Sequence, residues 1–544
     1  MEGAANTLTG ILSAYLDSIP VLVISGNESS FHCQNYSELR AYGVQGFDSV
    51  TVLDRVTKKS LRVLDAANVL QDFSAVWNEA KSDRKGPVLL DFPMDLQRKL
   101  LTASEVHDAP STLGSSNANE ISEALGSEIE SLSAALEVAE RPLLYIGNGC
   151  RNPETLALVS HLIETLGAPF CLSWSAIDLF PSDHPQNVGR IGIYGDRASN
   201  IVLQKADLVL CIGTRLAIPQ IGYDKADFGR HATKWVVEID PTECSKFAET
   251  DWHLLNLDAK TFLQAIKDRE FANSRERVTS WRKEIVTIWE ELPRINQVGT
   301  LSWPDHRAVH SAQVMEYLNT SLDEDAVICT DVGAGLLTGH YMLEPRKGQR
   351  LFTSQGLGEM GFGLPGAIGA HFGAPKRQLV CLDTDGGIMF NLQELQLVSQ
   401  HSINMKLFIF NNDGYTMIKI SQENLFGARL AGSGIESGVS FPNFQKIAET
   451  FNLKYVRIDS VEDFQTKLLP VLHDSSGTLI EIVMSPNQKY LPRLATTKLE
   501  DGTLVSPPLE DIDPLLSIED LERYLGYPAH PNSYKARGLK NEFA

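Results

Sequence analysis

The chain has 544 residues, 43% of them hydrophobic and 22% charged, a size and composition that predict several globular domains. Its formal net charge of −21 argues against nucleic acid as a partner, because an acidic protein does not neutralise phosphates. Seven scattered cysteines without a C-x-x-C pair predict reduced thiols and a cytoplasmic location. No apolar run approaches the roughly 18–20 residues of a membrane span.

The N-terminal part predicts a first domain over residues 1–105. A helical pattern precedes a strand at 21–25, and a buried strand within 86–97 closes the domain. Residues 106–130 are rich in Ser, Ala and Glu and predict a linker.

Apolar runs alternate with helical patterns through residues 131–285, which predicts a central domain with a second parallel sheet. The predicted strands are 142–147, 168–173, 208–213 and 235–240. The last strand ends in Asp240, and a strand-end acid of this kind resembles one that binds ribose. A third domain is predicted over 306–490, and the polar tail 491–544 is predicted to lie along the domains or a partner subunit.

Two strands of the third domain end in polar residues. The apolar run 379–382 leads to Asp385, and the run 407–410 leads to Asn412. Residues 389–402 between them have helical spacing. A strand–helix–strand crossover is right-handed, so both strands end at the same sheet edge, where ligands of parallel sheets collect. We therefore expect Asp385 and Asn412 to meet.

A carboxylate, an amide oxygen and a neighbouring backbone carbonyl form the hard oxygen site that Mg²⁺ prefers, usually completed by phosphate oxygens. Gly386 and Gly387 lead into the predicted helix, whose N-terminal N–H groups can receive those phosphates. From spacing alone, a crossover with a polar strand end and no ligand is an equal alternative.

Residues 356–361 spell G-x-G-x-x-G, and Asp383 follows about twenty residues on, as in a dinucleotide site. The same stretch, however, resembles the G-L-G-x-M-G-x-G-L-P segment of thiamine diphosphate enzymes. The resemblance implies that the Gly358 carbonyl accepts from the aminopyrimidine and that the flexible Met360 side chain supports the bent cofactor. Core packing is the alternative for Met360.

Residues 383–417 resemble the Gly-Asp-Gly … Asn-Asn signature of the same enzymes, with Thr384 in place of the first Gly. This resemblance implies that thiamine diphosphate is the cofactor and Mg²⁺ the metal. Its implied metal ligands are Asp385, Asn412 and the carbonyl of Gly414. Its implied cofactor-binding residues include Gly386, Gly387, Tyr415 and Met417.

The start of the chain resembles the G-P-G-A-T-N … I-S-G stretch of acetolactate synthase-like enzymes. In that family a further stretch precedes it and includes the glutamate that contacts the aminopyrimidine, and Glu2 stands where the family has Pro. We therefore expect either a truncated first domain or a protein without this glutamate. Gln45, in G-V-Q-G-F-D, is implied to face the substrate, and a surface-loop glutamine is the alternative.

The central segment also resembles that family, in which some members bind FAD there. Gly213, Arg215 and Asp240 are the candidate contacts, and a structural sheet without a ligand is the slightly favoured alternative.

Acetohydroxyacid synthases have a Trp where this chain has Ser421, and that Trp helps them select 2-ketobutyrate. A serine in place of this Trp favours an acceptor substrate that is bulkier than 2-ketobutyrate or different from it.

The resemblance spans roughly residues 3–490 and implies an α/β fold of three doubly wound parallel-sheet domains: pyrimidine-binding, central and diphosphate-binding. It implies decarboxylation of a pyruvate-like 2-keto acid and carboligation to a second carbonyl, by a homodimer or homotetramer. One alternative is a decarboxylase or acyl-CoA lyase on the same cofactor. Another is a non-catalytic subunit that binds the cofactor, suggested by the missing glutamate.

Overall fold

The computed structural model describes residues 2–108, 121–271, 274–294, 309–499 and 501–539. The chain divides into two compact units, one of residues 1–120 with 354–359 and one of 121–353 with 360–544. Among the described helices, none combines the length and the apolar character that a bilayer crossing needs.

The first unit contains a parallel sheet in the order β1-β3-β2. Its strands are β1 (Leu22–Asn27), β2 (Lys59–Arg62) and β3 (Val88–Pro93). Its helices are α1 (Glu2–Asn6), α2 (Leu8–Leu16), α3 (Ser30–Asn35), α4 (Ser49–Leu53), α5 (Val69–Lys81) and α6 (Met94–Gln97). The middle strand β3 is almost entirely buried, whereas the edge strand β1 leaves Ile24 exposed.

The second unit begins with a five-stranded parallel sheet in the order β5-β4-β6-β7-β8. Its strands are β4 (Pro142–Ile146), β5 (Phe170–Leu172), β6 (Leu208–Ile212), β7 (Thr233–Glu238) and β8 (His253–Asn256). Its helices are α7 (Glu123–Val138), α8 (Pro153–Leu166), α9 (Arg197–Lys205), α10 (Ile218–Ile221), α11 (Pro241–Ser245), α12 (Ala259–Ile266) and α13 (Ser274–Glu291). Every residue of β4 and β6 is buried, as expected where helices cover both faces of a parallel sheet.

The second unit also contains a six-stranded parallel sheet in the order β10-β9-β11-β12-β14-β13. Its strands are β9 (Val327–Thr330), β10 (Arg350–Phe352), β11 (Leu379–Thr384), β12 (Met405–Asn411), β13 (Lys454–Ile458) and β14 (Thr478–Val483). Its helices are α14 (Ser311–Ser321), α15 (Ala334–Met342), α16 (Gly363–Gly373), α17 (Leu395–Gln400), α18 (Thr416–Phe426), α19 (Phe444–Thr450) and α20 (Leu469–Leu472). Three parallel sheets with flanking helices confirm the predicted α/β fold class.

The helix predicted over 389–402 is broken. Two short 3-10 turns, Ile388–Phe390 and Leu392–Glu394, precede α17, which has only six residues. Asn391 separates the two turns with a backbone conformation that is not helical, and its side-chain amide donates to the Gly361 carbonyl at 2.8 Å. A long-range hydrogen bond therefore outweighs the local helical pattern.

The described part of the tail has its own structure. A short antiparallel pair, β15 (Thr497–Lys498) and β16 (Leu504–Val505), is followed by α21 (Ile518–Leu525) and α22 (Pro531–Ala536). Apolar side chains of the tail belong to the same core cluster as those of β4, β6 and α9. A buried ion pair of 2.6 Å joins Glu510 to Arg230, so the tail packs on the central sheet and its helices.

Candidate functional site

The carboxyl ends of β11 and β12 bring Asp385 and Asn412 together. These strands are adjacent and parallel, with Thr384 opposite Phe410. Asp385 Oδ2 accepts the Asn412 N–H at 3.0 Å and the Gly414 N–H at 3.2 Å. Both side chains are buried, with 1% of Asp385 and 6% of Asn412 exposed. The prediction that these two strand ends meet is confirmed.

One oxygen at this edge is left without a partner. Asn412 Oδ1 is buried and accepts no hydrogen bond from any described residue. Burial also raises the pKa of Asp385 to about 7. A buried acceptor without a donor is costly, and a cation satisfies it. The residues present therefore fit a hard, oxygen-bound cation such as Mg²⁺.

This edge is not a cluster of ionisable ligands. Among the described residues, no group of three or more His, Cys, Asp or Glu side chains could hold a metal ion. The candidate site instead combines one carboxylate, one amide oxygen and backbone carbonyls. Mg²⁺ is commonly held this way, by one or two carboxylates with phosphate and water completing its shell.

Two glycines after β11 are required by close packing. A Cβ at Gly386 would overlap the Tyr415 ring, and a Cβ at Gly387 would overlap Asp331 Oδ2. The Gly386 N–H donates to Asp385 Oδ1 at 2.7 Å, and the Gly387 N–H donates to Thr384 Oγ1 at 3.0 Å. Both predicted phosphate donors therefore have local acceptors that a diphosphate would have to displace.

The residues after Asn412 differ in whether their backbone N–H groups already have an acceptor. The Tyr415 N–H donates to the Ser433 carbonyl at 2.9 Å, so this amide is already occupied. The next residue begins α18, whose first-turn N–H groups lack partners inside the helix, as at any helix start. Met417 is partly buried and packs on the core of the sheet.

The side chains of Asp331 and Asp383 form a pair of buried carboxyl groups next to Gly387. Asp331 Oδ1 accepts the N–H groups of Gly361 and Gly363 at 3.0 and 3.2 Å. The Oδ2 atoms of Asp331 and Asp383 are both buried without an N–H or O–H donor. Burial, together with the charge of Asp331, raises the pKa of Asp383 well above its usual range, so a proton shared between the two groups satisfies both.

The carboxyl pair excludes the dinucleotide reading of G-x-G-x-x-G, because Asp383 is fully buried and cannot bind a ribose. In the first unit, the Gly356 N–H is also occupied, since it donates to Asp17 Oδ1 at 2.7 Å. Gly358 has a positive φ of 63°, and nothing lies within 4 Å of where its Cβ would be. Met360, in the second unit, is half-buried.

The helix after Asp331 begins with two small residues. Ala334 and Gly335 stand at the start of α15. A Cβ at Gly335 would lie 2.5 Å from the Leu382 carbonyl oxygen. Because α15 packs directly on β11, this position has no room for a side chain.

In the first unit, Gln45 lies on an exposed hairpin. Tyr42 and Gly46 form an antiparallel bridge with backbone hydrogen bonds of 2.9 and 2.8 Å. Inside the hairpin lies the buried carboxylate of Glu28, which follows β1 directly. Sequence reasoning missed Glu28, and the only available signal was a lone acidic residue after an apolar strand.

The candidate flavin residues of the five-stranded sheet are engaged in local structure. Asp240 Oδ1 accepts the Thr242 N–H at 2.8 Å and caps α11. Gly213 has a φ of 59°, and its Cβ position lies 3.0 Å from the Gly149 Cα. The backbone carbonyl of Arg215 accepts from the Lys246 ammonium group. This edge is therefore closely packed, although the buried Thr214 hydroxyl has no hydrogen-bond partner among the described residues.

A cavity of about 730 Å³ lies elsewhere in the second unit, between residues 221–227 and the tail. Several of its polar groups are engaged locally. His530 Nε2 lies 3.4 Å from Asp227 Oδ1, and Asp224 accepts the Ala226 N–H at 2.9 Å. The cavity therefore does not point to a particular ligand.

Two family comparisons agree with the sheets and the site edge. Residues 129–266 match the central domain of thiamine pyrophosphate enzymes, and residues 331–482 match their C-terminal TPP binding domain. Together these segments make up more than half of the chain, and the second contains Asp385 and Asn412. The chain therefore belongs to the thiamine pyrophosphate enzymes, whose cofactor is also called thiamine diphosphate.

Its similar proteins are large subunits of acetolactate synthase. The chain is 26% identical to that of Lactococcus lactis over 492 residues, which cover 90% of this chain and 81% of the relative. It is 29% identical to the isozyme 1 large subunit of Escherichia coli over 502 residues, covering 90% and 82%. At the level of the family, these relatives support thiamine diphosphate-dependent decarboxylation and carboligation.

Proposed function

We propose that this chain binds thiamine diphosphate through Mg²⁺ at the carboxyl edge of the six-stranded sheet. The single observation that carries the proposal is the partnerless oxygen of Asn412 beside the buried carboxylate of Asp385. In this proposal Asp385, Asn412 and the Gly414 carbonyl are the metal ligands. Both side chains come from neighbouring strand ends, so the fold holds them in place before the metal binds.

The surrounding residues would hold and shape the cofactor. Gly386 and Gly387 would turn their N–H groups to the diphosphate, which would displace their local acceptors, Asp385 Oδ1 and Thr384 Oγ1. The first turn of α18, including Met417, would offer N–H groups to the phosphates. Tyr415 would contribute its ring, which lies against Gly386, rather than its occupied N–H. Met360 would supply an adaptable apolar contact.

Within the first unit, we propose Gln45 as a contact to the substrate and the Gly358 carbonyl as an acceptor for the cofactor's amino group. Both roles follow from the family resemblance. The open surroundings of Gly358 and the exposure of Gln45 are compatible with them.

The reaction we propose is decarboxylation of a pyruvate-like 2-keto acid followed by carboligation to a second carbonyl compound. Bound thiamine diphosphate supplies the stabilisation of negative charge that such a decarboxylation needs. The residues of the chain bind, orient and enclose the reactants. Ser421 on α18 is small, exposed and bonded to the Met417 carbonyl at 3.0 Å, which favours an acceptor bulkier than, or different from, 2-ketobutyrate.

We also propose that each of the three sheets is the core of one domain, over residues 1–105, 131–285 and 306–490. A homodimer or homotetramer is proposed as the assembly. The first unit supports an interface, because several large apolar side chains there are exposed to solvent. They include Ile24, Phe31, Leu39 and Val44. Analytical ultracentrifugation would test this, and a monomer at micromolar concentration would contradict it.

Purified protein with thiamine diphosphate and Mg²⁺ should consume pyruvate and release CO₂. Products formed with a panel of aldehydes and 2-keto acids, identified by mass spectrometry, would name the acceptor. Release of CO₂ without a ligated product would favour a simple decarboxylase. Tight cofactor binding without CO₂ release from any 2-keto acid would favour a non-catalytic subunit.

A further inference from the structure

The hairpin that carries Gln45 is built around a buried carboxylate. Glu28 Oε1 accepts the Val44 N–H at 2.8 Å and the Gln45 N–H at 3.2 Å. Only 5% of Glu28 is exposed, whereas 88% of Val44, at the tip of the hairpin, is exposed. A carboxylate that accepts two backbone N–H groups from one loop holds that loop more strongly than a neutral acceptor does.

The glycines of the hairpin are matched to this carboxylate. A Cβ at Gly43 would overlap the Glu28 carboxyl carbon, and a Cβ at Gly46 would lie 2.7 Å from Glu28 Cγ. Gly43 also has a positive φ of 61°, which glycine adopts without strain. The Glu28 side chain therefore fills the space that side chains at either glycine would need.

Gln45 has few other means of being held in place. Its side chain is exposed, and beyond Glu28 the hairpin is closed by the paired backbone bonds of Tyr42 and Gly46. Tyr42 is itself buried, and its hydroxyl donates to the Phe47 carbonyl at 2.7 Å. Glu28 and Tyr42 thus fix the base of the loop, and Glu28 alone of these two reaches the Gln45 backbone.

We infer that Glu28 is a positioning residue, which fixes the backbone of Gln45 so that this side chain can meet the substrate. The inference rests on the proposed contact of Gln45 with the 2-keto acid. It predicts that Glu28 acts on the reaction through Gln45 and not on its own.

Hydrogen exchange followed by mass spectrometry on the full chain tests the anchoring directly. In E28A, exchange of the peptide covering residues 42–47 should accelerate by about 10-fold or more, since hydrogen bonds to a charged group are lost. E28Q keeps a side-chain acceptor and should lie between E28A and the wild type. D95A is the matched control, because Asp95 accepts the Ser30 N–H at 2.7 Å, outside the hairpin.

Steady-state kinetics tests the connection to Gln45. E28A and Q45A should each raise KM for the 2-keto acid more than they lower kcat, and the E28A/Q45A double variant should match Q45A alone. E28Q should recover part of the loss. If the effects of E28A and Q45A on the kinetic constants multiply in the double variant, the inference is overturned. It is also overturned if hydrogen exchange of the hairpin is unchanged in both E28A and E28Q. A wild-type chain without turnover would overturn the proposed function instead, and the exchange result would still decide whether Glu28 anchors the hairpin.

Discussion

The carboxyl edges of the six-stranded and five-stranded sheets carry the same classes of residue, an aspartate beside glycines. At the first edge, Asp385 is buried next to the Asn412 amide oxygen, which has no partner in the part of the chain that the structure describes. At the second, Asp240 caps a helix, and Gly213 lies against Gly149. Parallel topology alone therefore does not distinguish a ligand site from a structural edge.

Among the described residues each edge has one buried oxygen without a partner, the neutral Thr214 hydroxyl at the five-stranded sheet and the Asn412 amide oxygen at the six-stranded sheet, and only the second lies beside a buried carboxylate. A carboxylate that caps a helix contributes to stability without a ligand. A buried amide oxygen without a donor destabilises the protein until a ligand arrives. The edge that combines an unsatisfied amide oxygen with a buried carboxylate is the one inside the matched TPP binding domain.

Removing Asp385 should abolish retention of the cofactor. Changes to groups that merely support a metal ligand cost about 10- to 100-fold in affinity, so D385A should cost more than about 100-fold. Isothermal titration of thiamine diphosphate in the presence of Mg²⁺ measures the effect. D240A is the matched control from the other edge and should leave this affinity unchanged. Unchanged affinity in D385A would remove Asp385 from the ligand set.

Adding a methyl group at a packed glycine should destabilise either edge. In G387A the Cβ would overlap Asp331, and in G147A it would overlap the Gly213 carbonyl oxygen. We expect each to lower stability by roughly 1–3 kcal/mol, the usual range for overpacking. G369A in α16 is the control, because nothing lies within 4 Å of its Cβ position. Thermal unfolding compares the three, and equal melting temperatures would contradict the packing described for both edges.

The contribution of His310 to the stability of the second unit should fall in mild acid. His310 caps α14 by accepting the Ala312 N–H at 3.0 Å, and burial lowers its pKa to about 4. The folded state then binds fewer protons than the unfolded state between about pH 6.5 and 4, so stability falls as pH decreases through this window. The expected loss of this His310 contribution from pH 7 to pH 5 is ~2 kcal/mol, whereas the raised pKa of Asp385 acts in the opposite direction over the same range.

H310N provides the test, because asparagine can cap the helix without titrating. Urea unfolding at the two pH values should show that, on going from pH 7 to pH 5, the free energy of unfolding changes less favourably in the wild type than in H310N, by ~2 kcal/mol. His340 is also buried with a pKa lowered to about 4, so part of the dependence should remain. An identical loss in both proteins would show that His310 does not contribute.

The smallest effect is expected at the cap of α11. D240A should lower stability by about 1 kcal/mol, the usual cost of losing a capping residue. The visible absorbance of the purified wild type should show no flavin band, because this edge is closely packed. A flavin band that disappears in D240A would instead make Asp240 a contact to FAD.

Much of the candidate site follows from sequence alone because its key geometry is local. Asp385 and Asn412 follow adjacent strands of one crossover, and the right-handed rule brings such strand ends together. Burial of β11 and β12 follows equally from their apolar composition.

The tertiary structure alone decided which polar groups remained unsatisfied. The paired carboxyl groups of Asp331 and Asp383 come from different strands, and the Ser433 carbonyl accepts the Tyr415 N–H. The Asn391 side chain donates to the Gly361 carbonyl, and this hydrogen bond interrupts a predicted helix. Each of these contacts joins residues that are distant in the chain, so no local periodicity encodes it. Hydrogen-bond satisfaction depends on every group within about 3 Å, and only the folded chain determines which groups those are.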